Sequence, residues 1–351
     1  MSRLIRCLTV MVFLLGAPLA CTIPTETNSV VDIPATSPAV ATPDLLPADD
    51  PPAGDDPPAG DAVTVSPEPF PSARVPVSAP LAERISAAVA MAAAERGADV
   101  SIAVLDHATG SYLEGAAAEP VETASLAKLF IAAQMYHLDA LGERPLSDYD
   151  RLLVTRMLQS SDDDAANTLW DDLGGSDLVV DVAGRYGLAA TTPPWDGLWW
   201  NTETTAADLV TFYAGLLDDR DGLGPGRIAE FVGYLRSATP EAIDGYDQRF
   251  GIPDGLPGES VVGVKQGWMC CVGDRWIHVS TGLIGEDNRY IVAVASQEDI
   301  RYEDDEESYP DTAITDVTDD SSARHARDTI TGFVKSLFPT GVVDDWAQPQ
   351  G

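Results

Sequence analysis

The stretch Ser125-Leu126-Ala127-Lys128-Leu129-Phe130-Ile131-Ala132-Ala133 opens the most apolar helix pattern of the chain, running from Leu126 to Leu141. Residues three apart share a helix face, so Lys128 can hold its amine beside the hydroxyl of Ser125. A serine at a helix start also has unpaired backbone N–H groups nearby, and these favour developing negative charge. A hydroxyl becomes a nucleophile only with a base, and lysine serves where desolvation or a second cation lowers its pKa. Alone, S-x-x-K is a weak signal, and Ser125 reads equally well as a helix cap. The chain has only three lysines, Lys128, Lys265 and Lys335, so the place of the second one carries information.

On the N-terminal side of this stretch, Leu81–Arg96 has apolar positions at helical spacing and ends at Gly97. Ser101–Asp106 and Ser111–Glu114 read as strands around an Ala108-Thr109-Gly110 turn. On the other side, four or five helix patterns fill Ala124 to Arg236, one of them opened by a Thr205/Asp208 capping box. Three strand patterns follow, Val261–Met269, Trp276–Ile284 and Tyr290–Ser296, then a last helix, Ser322–Leu337. Short turns between neighbouring strands predict an antiparallel sheet, and the order predicts an α+β fold: terminal helices flanking the sheet, with a separate all-helical block.

Two further motifs lie in that frame. Ser161-Asp162-Asp163-Asp164-Ala165-Ala166-Asn167 starts a helix, and Val264-Lys265-Gln266-Gly267-Trp268 falls in the first of the three late strands. The ordered series S-x-x-K, S-D-x, K-x-G resembles the serine β-lactamase and penicillin-binding (D-alanyl-D-alanine peptidase) superfamily, and in order it is most similar to class A β-lactamases. The resemblance spans nearly all of 81–338. It implies that Ser125 is the acylated nucleophile, Lys128 a proton acceptor, Ser161 the group that passes a proton to the leaving nitrogen, and Lys265 a positive charge for a substrate carboxylate. It also implies an oxyanion hole from the backbone N–H groups of Ser125 and Trp268, beside Gly267. Caps at Ser125 and Ser161 and a surface Lys265 would explain each motif singly, but not their order.

Departures from the pattern bear on activity. Asp163 stands where asparagine is usual; a carboxylate accepts but cannot donate to a substrate carbonyl, and it would pair with Lys128 and raise its pKa. Gln266 replaces the usual hydroxyl, though its amide could still donate to a substrate carboxylate. The stretch between the first two motifs is short for the class, which implies a trimmed helical subdomain. The loop Leu188–Thr204 lacks the E-x-x-x-N whose glutamate activates the deacylating water; Asp196 and Glu203 are its acids, and an aromatic loop packed under the domain is the simpler reading. Arg275, entering the second late strand, is either a partner for a substrate carboxylate or a plain surface arginine. His278 reads as a packed histidine.

The remaining chemistry is sparse. Four histidines, four cysteines and no H-E-x-x-H offer no metal site, and no cofactor loop is present. Cys270 and Cys271 are adjacent; because neighbouring strand residues point to opposite faces, two separate thiols are favoured over a vicinal disulfide.

The N-terminus addresses location. Residues 1–20 run from Arg3 and Arg6 through an apolar Leu8–Leu15 to small residues, the order of an export signal. Cys21 follows, resembling the acylated cysteine of a bacterial lipoprotein; plain secretion is the alternative. Residues 21–80 form a tether, with fourteen prolines from Thr22 to Pro80 and D-D-P-P-A-G repeated in tandem over Asp49–Gly60. Residues 81–340 are the folded domain and 341–351 a tail. Apolar residues make up 45% and charged residues 22%, which fits a globular domain. A net charge of −35 excludes a nucleic-acid partner and leaves the lipid anchor as the only membrane attachment. The acidic stretch Glu303–Glu307, with Asp311 to Asp320, reads as a solvated loop.

Together these features predict an exported serine acyl-enzyme acting on a β-lactam, a cell-wall D-alanyl peptide or another small amide or ester, with slow or absent deacylation. The competing expectation is an inactive lipoprotein of the same fold that binds a ligand or partner.

Overall fold

The computed structural model describes residues 79–302 and 319–343; the export signal, the tether with Cys21, and most of the acidic stretch and tail lie outside them. The chain enters through helix α1 (Leu81–Met91), extended by a wider turn over Ala92–Arg96 that stops at Gly97. Gly97 adopts a left-handed conformation (φ 63°), which glycine takes without steric penalty. The hairpin β1 (Ala98–Asp106) and β2 (Ser111–Gly115) follows, then the short β3 (Val121–Glu122). Six helices rather than four or five fill the middle: α2 (Ala127–Leu141), α3 (Asp148–Gln159), α4 (Asp163–Asp172), α5 (Ser176–Tyr186), α6 (Ala206–Leu217) and α7 (Pro225–Arg236). The strand β4 (Glu203–Thr204) precedes α6, and the single turn α8 (Ile252–Gly255) leads to β5 (Val262–Val272), β6 (Arg275–Ile284) and β7 (Tyr290–Asp299). Helix α9 (Ser321–Leu337) closes the fold.

The five long strands form one antiparallel sheet in the order β2-β1-β7-β6-β5, so the fold is α+β as expected. β7 is apolar from Tyr290 to Ala295 because both its faces are covered there. Ile291, Ala293 and Ala295 join the core shared with the helical block, whereas Tyr290, Val292 and Val294 join the core under α1 and α9. α9 lays Ala323, Ala326, Ile330, Phe333, Val334 and Leu337 onto that second core, the stripe expected of a surface helix. α2 is different: every residue from Ala127 to Tyr136 is buried, which makes it the axis of the helical block.

Caps follow the sequence only in part. At α6 the Thr205 hydroxyl accepts from the Asp208 N–H (3.1 Å), but the Asp208 carboxylate accepts instead from Ala190 N and Thr191 Oγ1. A full reciprocal box occurs at α3, between Ser147 and Asp150. The cysteine expectation is corrected: Cys270 and Cys271 are joined in a vicinal disulfide. The reason is local, since the β5–β6 register shifts between Met269 and Val272, and the alternation that separates neighbouring side chains does not hold across the bulge. Among the described residues, no helix is long and apolar enough to cross a membrane.

Candidate active site

Ser125 sits in a tight turn, Ala124–Leu126, that runs directly into α2. The residue before it, Ala124, has φ 44°, an uncommon conformation for a residue with a side chain. One turn further on, Lys128 is completely buried, and its Nζ donates to Ser125 Oγ at 2.8 Å. Ser161 lies in the link between α3 and α4, also left-handed (φ 56°), where the neighbouring Asp162 caps α4 and pairs with Arg156. This backbone brings both Ser161 oxygens to Lys128, the carbonyl at 2.6 Å and Oγ at 3.3 Å. From β5, Lys265 Nζ donates to Ser161 Oγ (2.9 Å) and to the Gln266 carbonyl (2.7 Å). Three separated segments thus supply one chain of contacts: Ser125, Lys128, Ser161, Lys265. Ser161 Oγ accepts from Lys265 and lies within reach of Lys128, which leaves its own proton free to be given away.

Asp163 completes the cluster, its Oδ1 2.5 Å from Lys128 Nζ. Two effects oppose each other at that amine. Burial disfavours the charged form and Asp163 favours it; burial is the larger, so the Lys128 pKa falls below the ordinary 10.5 despite the pair. Lys265 is pushed down further, by burial first and then by the charge of Lys128. The Trp199 ring lies over Lys128, 4.7 Å from Nζ to the centroid, and excludes water from it.

A cavity of about 120 Å³ opens above Ser125, lined also by Asp163, Trp199, Trp200, Asp244 and Trp268. Ser125 and Trp268, the two residues expected to supply oxyanion N–H groups, therefore share one pocket. Their approach depends on Gly267. A Cβ there would lie 2.6 Å from the Thr123 carbonyl oxygen and 2.6 Å from Leu126 Cδ2, so β5 can reach the Ser125 turn only without a side chain. Gly267→Ala is expected to cost about 1–3 kcal/mol by overpacking. It should also slow any acylation of Ser125 by at least about tenfold, since the turn carrying that residue must shift. Chemical denaturation and adduct formation followed by mass would check both.

Two expected substrate contacts are corrected. Gln266 neighbours Lys265 on a strand and so faces the other side of the sheet; its Nε2 donates to the carbonyls of Gln248 (3.1 Å) and Phe250 (2.5 Å), and it does not line the pocket. Arg275 lies outside the pocket as well. Its guanidinium is held by Asp99 (2.7 Å) and Asp299 (3.2 Å) at the far end of β6, six residues from Thr281, the partner of Lys265.

The loop Leu188–Thr204 also differs from expectation. Trp199 and Trp200 wall the pocket rather than packing beneath the domain, with Trp199 Nε1 donating to Asn167 Oδ1 (2.8 Å), and Trp195 is exposed. Its acids turn elsewhere: Asp196 accepts from Asn201 and Leu198 N, and Glu203 from Thr192. His278 is a packed histidine, its Nε2 2.6 Å from the Tyr246 hydroxyl, with burial and then Arg327 holding its pKa well below the ordinary 6.5. Asp244 was not legible beforehand. It sits in a turn, its Oδ1 accepting from Tyr246 N (3.0 Å), and only the fold brings it to Ser125. No group of three or more potential metal ligands occurs among the described residues.

Comparison with known proteins agrees with this geometry. The sequence profile of the beta-lactamase enzyme family matches residues 148–320, which include Ser161 and Lys265. The proteins named "Putative lipoprotein LppW" in Mycobacterium tuberculosis and Mycobacterium bovis are 46% identical over 249 residues, 71% of this chain and 72% of theirs. Among solved structures, a beta-lactamase from Sphaerobacter thermophilus superposes with a TM-score of 0.55 at 18% identity, covering 74% of this chain and 96% of that one. A beta-lactamase from Chitinophaga pinensis gives 0.55 at 12% identity, with 74% and 97% covered. The protein PBP-A gives 0.55 at 17%, with 76% and 99% covered. Motif order, sheet topology and these relatives agree: the chain belongs to the serine β-lactamase and penicillin-binding superfamily.

Proposed function

We propose that the protein is an exported, lipid-anchored serine acyl-enzyme acting on a β-lactam, a cell-wall D-alanyl peptide or a related small amide or ester. The observation that carries this reading is the hydrogen-bonded chain of Lys265, Ser161, Lys128 and Ser125, drawn from three distant segments and ending at Ser125 on the pocket wall. A neutral Lys128 has two N–H groups and one lone pair. Its shortest contacts, to Asp163 and the Ser161 carbonyl, take the two protons and leave the lone pair for Ser125. Ser125 Oγ then bonds to the acyl carbon and its proton passes to Lys128. The bond to the leaving oxygen or nitrogen breaks, and that atom takes the Ser161 proton, which Lys128 or Lys265 replaces. N–H donors from the backbone of Ser125 and Trp268 would hold the tetrahedral oxygen, each contributing about 3 kcal/mol in comparable sites.

Intact mass after exposure to a penicillin-like agent and to activated esters tests the reading. A stoichiometric adduct is expected in the wild type and none in Ser125→Ala. No adduct with any donor would favour the second reading, an inactive binding module, which the Asp163–Lys128 pair supports.

Anchoring rests on the junction of apolar run, small residues and Cys21, and on the lipoprotein name carried by the LppW relatives. Cys21→Ser is expected to move the protein from the membrane fraction to the soluble exported fraction. A wild type already soluble would defeat that claim.

A further inference from the structure

Resting on the acyl-enzyme reading, we infer that Asn167 and Trp199 are positioning residues for the proposed base: Asn167 holds the indole, and the indole keeps Lys128 Nζ dry against Ser125. Trp199 is buried, with its ring centroid 4.7 Å from Lys128 Nζ. Lys128 does not line the cavity, although Ser125, Asp163 and Trp199, each in contact with it, all do. The indole therefore stands between the amine and the open space. The loop that carries it is fastened on both sides. Trp199 Nε1 donates to Asn167 Oδ1 (2.8 Å) on α4, the helix that begins with Asp163. Three residues beyond Trp199, the Thr202 carbonyl accepts from Thr123 N (2.7 Å), two residues before Ser125, and β4 pairs with β3 alongside. Trp199 is thus tied to the segments that bring Ser125 and Asp163 to Lys128, whereas Trp195 of the same loop is 86% exposed. The seating belongs to this one ring, and the loop whose acids turn elsewhere acts through it on the acylation step.

The ring has two opposing effects on the amine. Its negative face attracts an ammonium, which favours the charged form by about thirtyfold in a desolvated contact. Withholding water favours the neutral form, by about 10³- to 10⁵-fold for complete burial. Lys128 is completely buried, and burial outweighs even the charge of Asp163 at this amine. Removing the ring opens the amine to the cavity, so the loss of dryness should exceed the loss of attraction. The base should then keep its proton to higher pH, and admitted water should compete with Ser125 for its lone pair. Asn167 is exposed on α4 and acts through the indole, so its loss should move the same readout by less.

Trp199→Ala, Trp199→Phe and Asn167→Ala, each with its thermal midpoint measured, test the inference on the full chain. With a 4-nitrophenyl ester as acyl donor, Trp199→Ala is expected to acylate about tenfold more slowly near neutrality and to show its inflection at higher pH than the wild type. Trp199→Phe keeps a ring over the amine and should recover most of the rate, with Asn167→Ala between the two. A ring that served the fold alone would lower the rate or the midpoint without moving the inflection. An inflection that stays in place or moves to lower pH in Trp199→Ala would overturn the inference. The proton on Lys128 is also readable without any acyl donor. The chain has three lysines, so the side-chain signals of protein labelled with carbon-13 lysine can be followed one by one through a pH titration, with Lys128 assigned by its loss in Lys128→Met. Lys128 should titrate at higher pH in both Trp199→Ala and Asn167→Ala than in the wild type. If the wild type forms no adduct, the acyl-enzyme reading fails, and this titration still decides whether Trp199 governs the Lys128 proton. No upward move in Trp199→Ala, or in Asn167→Ala where the first does not fold, overturns the inference.

Discussion

Lys128→Met is expected to slow acylation of Ser125 by about 10²- to 10⁴-fold, the range lost when a positioned general base is removed. The side chain is fully buried and touches Ser125, Ser161 and Asp163 at once, so no water can take its place without reopening the packing under Trp199. Methionine keeps the length and apolar character of the stem, and a thermal midpoint measured alongside separates lost chemistry from lost fold. The pH profile gives an independent readout. In the proposed mechanism a neutral amine is the base, so the acylation rate should climb as pH rises through the Lys128 pKa. Burial puts that inflection below the ordinary lysine value of 10.5, while Asp163 holds it higher than burial alone would. Asp163→Asn removes the opposing charge, so the inflection should move to lower pH and adduct formation near neutrality should quicken. A slower Asp163→Asn enzyme with an unmoved profile would show that the carboxylate positions Lys128 instead of restraining it.

The elements were legible where local pattern and tertiary environment agree. α9 shows its stripe in sequence because only one face is buried, and the late strands are short apolar runs with turn residues between them. The four catalytic candidates were legible because the chain holds so few lysines that two of them in ordered motifs stand out. Contacts set by sheet geometry were not legible. Gln266 is adjacent to Lys265 in sequence yet faces the opposite core, and Arg275 is captured by Asp99, a residue from a strand 176 positions earlier. Asp244 belongs to no motif; a turn after α7 carries it to the pocket. The cysteine pair escapes the alternation rule because it falls on a bulge that sequence does not mark. In each case the missing information is a pairing between distant segments, which neither propensity nor periodicity encodes.

Deacylation is where the site should be weakest. Releasing the acyl group requires a water whose oxygen bonds to the ester carbon, a base to take its proton, and return of a proton to Ser125 Oγ. The loop that would supply the base presents Trp199 and Trp200 to the cavity, and its own acids are bound to Asn201, Leu198 N and Thr192. The carboxylates on the lining are Asp163, engaged by Lys128, and Asp244. A step without general-base help runs about 10²- to 10⁴-fold slower than one with it. With a good acyl donor, the expected time course is therefore one equivalent of rapid product release followed by a slow phase, with the adduct mass persisting on Ser125 through that phase. Rapid multiple turnover would contradict this and would point to Asp244, the one lining carboxylate not paired with a lysine. In that event Asp244→Asn should convert the enzyme from turning over to accumulating adduct, and a variant that still turns over would exclude both lines of reasoning at once.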